Sequence, residues 1–396
     1  MARKVHLHIG TMRSGTTYIQ ELCERNREQL LEKGVLWPTA DCYQAVKDLF
    51  GWPQDGNTEP NQWPVLDEEI RGHRKKVIVS NELLAAASYL RIGRLLKALF
   101  PAEVRVVITA RDLARAVPSQ WVTSVKNGST LGWPEFSSSV CSEAPIQELE
   151  AQLKPPMTSH LEKSSGRFEP GPMRERFWLN HDVAEIIRRW RTFVPAERVA
   201  LVTVPPPGGD PEVLAERFGS AVGVQLTGLE QPDSESTTSL GSHSAELMRR
   251  LNELMSTDEL IRRRHGLKVA LGREVLGARA MAEPRFALTQ DQHDWLASRA
   301  DAMIGEIEST GVRVLGSLDD LVPARHPAPD AVSPADTSEA DLREAAFAGL
   351  IGMAKVVEDM RTNVIHAAAE LEESRAEAKE NRRRMKKQQR RTRTAR

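Results

Sequence analysis

The stretch from Val5 to Gln20 (Val-His-Leu-His-Ile-Gly-Thr-Met-Arg-Ser-Gly-Thr-Thr-Tyr-Ile-Gln) constrains the fold more than any other. Val5 to Ile9 is an apolar run of strand length. Gly10 to Gly15 makes a glycine-bounded turn. From Thr16 onward, Ile19, Leu22 and Cys23 fall on one face of a helix expected to end near Gly34. A strand that passes through such a loop into a helix N-terminus is a cradle for an anion. Loop N–H groups converge, the helix dipole adds positive potential, and the hydroxyls of Ser14, Thr16 and Thr17 add donors.

The register separates this loop from that of the nucleotide triphosphatases. Their loop reads G-x-x-x-x-G-K-[ST], with a lysine after the second glycine for the β and γ phosphates. Here Thr16 stands at that lysine position, and the cation is Arg13, two residues before Gly15. A second apolar strand, Val104 to Ile108, leads into Thr109-Ala110-Arg111-Asp112 and a helix from Leu113 to Val125, with Ser119 eight residues after Arg111. A guanidinium forks onto a phosphate dianion and a hydroxyl takes a further oxygen, whereas the plainer use of Arg111 is a helix-start ion pair. A third short strand, Val77 to Val79, puts Glu82 just past its carboxyl end, on the rim where ligands of open α/β sheets sit. Glu82 reads either as a base for a hydroxyl proton or as a carboxylate at a helix start. His6 and His8 alternate on the first strand and are expected to pack or to face solvent. Asp182, beside His181, suits a helix N-cap, and Lys126 is expected as a solvated lysine.

These residues resemble the sulfotransferases that use 3′-phosphoadenosine 5′-phosphosulfate (PAPS). The first loop of that family reads K-[ST]-G-T-[TS]-x-[LIW], and this chain has Arg-Ser-Gly-Thr-Thr-Tyr-Ile at 13–19. The likeness is strongest to bacterial members that begin H-x-G-x-x-K-[ST]-G-T-T-Y-[LI]-Q. It covers about residues 4–322 and is specific in the two loops. The resemblance implies that Ser14, Gly15, Thr16 and Thr17 hold the 5′-phosphosulfate and that Arg13 takes the place of the family's lysine. It implies that Arg111 and Ser119 grip the 3′-phosphate, that Glu82 is the base, and that no metal is needed. Arginine keeps the charge of the lysine but is bulkier, planar and slower to give up a proton.

At 396 residues the chain suffices for one large core with appendages. The expected fold class is α/β, a three-layer, P-loop-like parallel sheet flanked by helices, with a C-terminal helical extension. The sulfotransferase-like domain is expected over 1–322. Within it, 139–176 is rich in Pro, Ser and Glu and reads as a mobile insertion or lid, and 245–322 reads as a mainly helical completion. Further expected elements are an extended piece at 35–38, a strand over 199–204, a helix opened by Pro211 and a polar surface loop over 228–244. Residues 323–338 read as a linker and 339–381 as a long amphipathic helix. Leu350, Met353, Val357, Met360, Val364, Ala367 and Leu371 follow heptad spacing there, which leaves a homodimer open. Residues 382–396 carry nine Lys or Arg and no acid, and read as a basic disordered tail.

The formal charge of −1 gives no bulk affinity for nucleic acid, although the basic tail leaves contact with an anionic surface open. No apolar run reaches the length of a membrane span, and the one near the start is too short for a signal peptide. Cys23, Cys42 and Cys141 show no metal or redox spacing and fit a reducing compartment, so a cytoplasmic location is expected. The expected function is sulfuryl transfer from PAPS to a hydroxyl of a carbohydrate, glycolipid or natural product, releasing adenosine 3′,5′-bisphosphate. Two other readings stand beside it. One is a small-molecule kinase with Asp112 as its magnesium carboxylate, against which the missing lysine after Gly15 counts. The other is a non-catalytic interaction protein that recruits partners through the tail helix.

Overall fold

The computed structural model describes residues 4–52, 61–142, 173–232, 239–256, 259–260, 263, 266–324, 326 and 329–394. Its strands are β1 (Lys4–His8), β2 (Val35–Leu36), β3 (Lys76–Ser80), β4 (Glu103–Ala110), β5 (Val199–Thr203), β6 (Arg285–Phe286), β7 (Arg313–Leu315) and β8 (Ala331–Val332). Six of them form one parallel sheet in the order β2-β3-β1-β4-β5-β7, while β6 and β8 pair separately. The central strands are buried along almost their whole length, as a sheet covered on both faces requires.

The alternation of side chains assigns the two faces. Val5, Leu7, Val77, Val79, Val106 and Ile108 face one layer of helices. It includes α3 (Cys42–Phe50), α5 (Tyr89–Leu99) and α6 (Leu113–Lys126), once α1 (Thr16–Arg25), α2 (Arg27–Glu32) and α4 (Gln62–Gly72) are counted in chain order. Ile78, Val107 and Val202 face the other layer, in which α1 and α2 pack. The chain continues through α7 (Trp133–Val140), α8 (Met173–His181), α9 (Val183–Arg191), α10 (Pro211–Val222), α11 (Ser242–Glu253), α12 (Gln290–Ser309) and α13 (Glu339–Thr394). Of these, α10 joins α1 and α2 through Leu214, Ala215 and Phe218. The chain thus forms the expected α/β class, a parallel sheet between two helical layers.

This topology makes one crevice. The neighbours β1 and β4 send their following helices to opposite faces, α1 by Ile19 and Leu22, α6 by Leu113, Val117 and Trp121. The loops after the two strands diverge there and leave their carboxyl ends open, which is where ligands of such sheets sit.

Several elements depart from the sequence reading. The helix expected from Thr16 to Gly34 breaks at Asn26, whose Nδ2 donates to the carbonyls of Leu22 (2.7 Å) and Glu230 (2.9 Å) and so draws the chain out of helical register. The edge strand β7 lies within 245–322, where helix was expected. Three residues between polar neighbours give no periodic signal. The expected linker 323–338 carries β8 and a turn over Pro334–Asp336, and Thr337 is buried. The basic stretch from 382, expected as a disordered tail, continues α13 to Thr394. Arg, Lys, Gln and Met favour helix, and no Gly or Pro interrupts them. Most of the expected lid, 143–172, lies outside the described residues. No helix among the described residues is long and apolar enough to cross a membrane.

Candidate functional site

The loop after β1 is stitched to β4. The N–H of Ile9 donates to the carbonyl of Val107 (2.9 Å) and that of Thr11 to the carbonyl of Thr109 (2.8 Å). Arg13 and Gly15 then take left-handed backbone, with φ of 65° and 78°. Two such residues one apart curl the chain so that successive N–H groups turn toward a common point. For Gly15 this costs little, but for Arg13 it costs on the order of 1 kcal/mol and persists only where neighbours enforce it. Three bonds enforce it here. The Ser14 N–H and Ser14 Oγ both donate to the Thr11 carbonyl (3.2 and 2.6 Å), and Arg111 Nη1 donates to the Arg13 carbonyl (3.0 Å). Gly15 caps α1 without any side-chain hydrogen bond, so the helix presents its first-turn donors, which have no acceptor in the helix itself.

Cations gather on this rim. Arg13 is largely enclosed, with an Nε that has no acceptor. Burial lowers its pKa, while the charge of Glu82 works to raise it, which places the two side chains on the same rim. Arg111 also has an enclosed Nε without an acceptor. Burial first, then Arg115, and also Arg13 push its pKa down to about 10, against the opposing pull of Asp112. Lys126, at the end of α6, is half-buried rather than solvated. Burial, then Arg13, Lys268 and Arg273 bring its pKa down to about 8. Cations that depress one another in a desolvated crevice make a receptor for a multiply charged anion.

The predicted residues divide on inspection. Arg13, Gly15, Arg111 and Glu82 come to one rim. Thr16, buried, and Thr17, half-buried, open α1 beside them. Ser14 turns inward. Its hydroxyl, fully buried, bonds Thr11 and the Thr109 hydroxyl (2.7 Å), so both its donors serve the loop and neither faces the crevice. Ser119 is half-buried on α6, and among the described residues no hydrogen bond joins it to Arg111 or the loop. Asp112 caps α6 by accepting from the Arg115 N–H (2.9 Å) and also pairs with Arg115 Nε, which occupies both carboxylate oxygens. Asp182 is the N-cap of α9, accepting from the Glu185 N–H (3.1 Å). His181 is buried against Phe177, with ring centroids 4.3 Å apart. Burial, then Arg111, hold its pKa down at about 3.

Four polar residues beneath the loop have no role in the site in the sequence reading, which expects His8 only to pack or to face solvent. His8 is buried between Ser80 Oγ (2.9 Å from Nδ1) and Thr109 Oγ1 (3.1 Å from Nε2). Gln20 Nε2 donates to Ser80 Oγ (3.1 Å) and to Glu82 Oε2 (3.3 Å). Their signal was present. His8 and Gln20 are the two ends of the H-x-G…Q pattern, and Ser80 and Thr109 lie near the carboxyl ends of β3 and β4, the strands on either side of β1.

Among solved structures, the chain matches a crystal structure of a sulfotransferase from Alicyclobacillus acidocaldarius, at 13% identity and a TM-score of 0.34, over 64% of this chain and 93% of that one. At that score the likeness bears no weight. No family model matches the chain, and no curated protein matches it. The functional reading therefore rests on the residues of the site.

Proposed function

We propose that the chain transfers a sulfuryl group from PAPS to the hydroxyl of an acceptor. The observation that carries this reading is the pair Arg13 and Arg111. Each is desolvated and holds an enclosed Nε without an acceptor, and the two are bonded through the Arg13 carbonyl on adjacent strand ends. Two clamps on adjacent strand ends suit a nucleotide that is anionic at both its 3′ and 5′ positions. A triphosphate with magnesium fits less well, because the lysine after Gly15 is missing and both oxygens of Asp112 are engaged by Arg115.

In this reading the N–H groups of Gly15, Thr16 and Thr17 take the 5′ end, and Arg111, with Ser119, takes the 3′-phosphate. When bound, PAPS supplies an activated sulfuryl group whose transfer leaves negative charge on the bridging oxygen. Arg13 neutralises that charge, and Lys126 adds to the field. Glu82, half-buried on the same rim, accepts the proton of the attacking hydroxyl. The acceptor is a hydroxyl compound of the carbohydrate, glycolipid or natural-product class, an assignment supported by the sequence resemblance alone.

Isothermal titration with adenosine 3′,5′-bisphosphate, beside ATP with magnesium, tests the reading. Tighter binding of the bisphosphate is expected, and a preference for ATP would defeat it.

A further inference from the structure

We propose that His8 is a positioning residue that ties Glu82 to the anion loop through one ordered chain of hydrogen bonds, a role that rests on the sulfuryl-transfer reading. The ends of the chain dictate its direction. The Thr11 carbonyl can only accept, so the Ser14 hydroxyl donates to it (2.6 Å). Ser14 Oγ then accepts from the Thr109 hydroxyl (2.7 Å), and Thr109 Oγ1 accepts from His8 Nε2–H (3.1 Å). With its proton on Nε2, His8 accepts at Nδ1 from the Ser80 hydroxyl (2.9 Å). Ser80 Oγ accepts from Gln20 Nε2 (3.1 Å), and the second hydrogen of that amide goes to Glu82 Oε2 (3.3 Å). Each hydrogen is used once, and a single tautomer of His8 satisfies the whole.

The other tautomer fails on the same distances. A proton on Nδ1 would make Nε2 accept from Thr109. Ser14 and Thr109 would then stand 2.7 Å apart with no hydrogen between them, or Ser14 Oγ and the Thr11 carbonyl oxygen would face each other across 2.6 Å with none. Burial supports a neutral ring, since His8 is 1% exposed and desolvation brings its pKa down to about 3. The chain fixes a carboxylate on one side of the crevice and the Arg13 loop on the other within a single frame. A base and an anion clamp that must meet the same reacting group need such a frame.

Two half-chain variants of the full protein test this. His8→Asn leaves an amide oxygen where Nδ1 lies, keeping Ser80 and releasing Thr109. His8→Gln leaves an amide N–H where Nε2 lies, keeping Thr109 and releasing Ser80. Affinity is read by titration with adenosine 3′,5′-bisphosphate. Turnover is read by PAPS hydrolysis, in which a water oxygen bonds to sulfur, the bond from sulfur to the bridging oxygen breaks, and Glu82 takes the proton. His8→Asn is expected to weaken bisphosphate binding about tenfold and to change hydrolysis at saturating PAPS less than about twofold. His8→Gln is expected to do the reverse. Equal losses of both readouts in both variants, the mark of a merely structural histidine, would overturn the proposal, as would no loss in either. Histidine-selective 15N NMR reads the chain without any nucleotide. A neutral Nε2–H ring at pH 6 is expected for His8, and an Nδ1–H or doubly protonated ring would overturn it. If the wild type neither bound the bisphosphate nor cleaved PAPS, the sulfuryl-transfer reading would fail while the NMR spectrum still decided the chain.

Discussion

Arg111 Nη1 donates to the carbonyl oxygen of Arg13 across 3.0 Å, joining the end of β4 to the loop after β1. Two like charges are thereby held on one rim, and the charge of Arg13 helps to lower the pKa of Arg111. Their mutual repulsion stands in the ligand-free fold and is relieved by an anion that touches both. Arg111 thus braces the loop backbone, and under the proposed function it has a second role, toward the ligand in the crevice.

The second role predicts selectivity. Arg111→Ala is expected to weaken adenosine 3′,5′-bisphosphate by about 10- to 100-fold, the range for a hydrogen bond to a charged group, and adenosine 5′-phosphate by much less. Titration of both ligands checks it. Equal losses would mean that Arg111 acts only by bracing the loop.

The backbone of Arg13 permits a cleaner separation of shape from charge. Its φ of 65° suits glycine better than arginine. Arg13→Gly is expected to leave the thermal midpoint unchanged or slightly raised, yet to slow PAPS cleavage by about 10²–10³-fold, the usual cost of removing a group that stabilises developing charge. A loss of cleavage no larger than about threefold would remove Arg13 from that role.

Lys126 is expected to make anion binding depend on pH. Crowded by burial, Arg13, Lys268 and Arg273, it titrates at about 8 in the free protein. A bound anion favours its charged form and raises that pKa. Binding is therefore coupled to proton uptake once the pH passes about 8, and affinity for the bisphosphate is expected to fall as the pH rises from 8 toward 10. Titration at pH 8.5 in buffers of different ionisation enthalpy measures the proton uptake. Lys126→Met is expected to abolish it.

Three buried histidines set the acid limit of the fold. Burial pushes His6 down to about 4 and His8 and His181 down to about 3. Each ring gains a proton in the unfolded chain near pH 6.5 but stays neutral when folded. Unfolding then binds protons, so their stabilising contribution is complete above about pH 6.5 and is lost progressively as the pH falls toward 4. The urea midpoint should drop over that interval, before Glu103 or Asp320, whose pKa values are lowered, take up protons. A flat midpoint from pH 6.5 to 4.5 would contradict the assignment.

Much of this site can be read from linear chemistry. The apolar runs of β1, β3 and β4, the glycine loop and Arg111 at a strand end are local patterns, and local patterns survive folding. What stayed hidden depends on partners far along the chain. Ser14 looks like a phosphate donor until Thr109, 95 residues away, turns it inward. His8 looks like an alternating strand residue until Ser80 and Thr109 bracket its ring. Lys126 looks solvated until Arg13 and the segment Gly266–Val275 close over it. The break at Asn26 answers to Glu230, and β7 exists because β5 offers it an edge.

Gly10 lies directly over this buried polar chain. A Cβ there would collide with Thr109 Oγ1 and crowd the Thr16 methyl and His8 Nε2. Its bare backbone is the roof under which the hydroxyls and the imidazole fit, so positions 8, 10, 16 and 109 cannot drift independently through evolution. A lineage that put a side chain at position 10 would have to rebuild the three residues it meets, or lose the frame that holds Glu82 to the loop after β1.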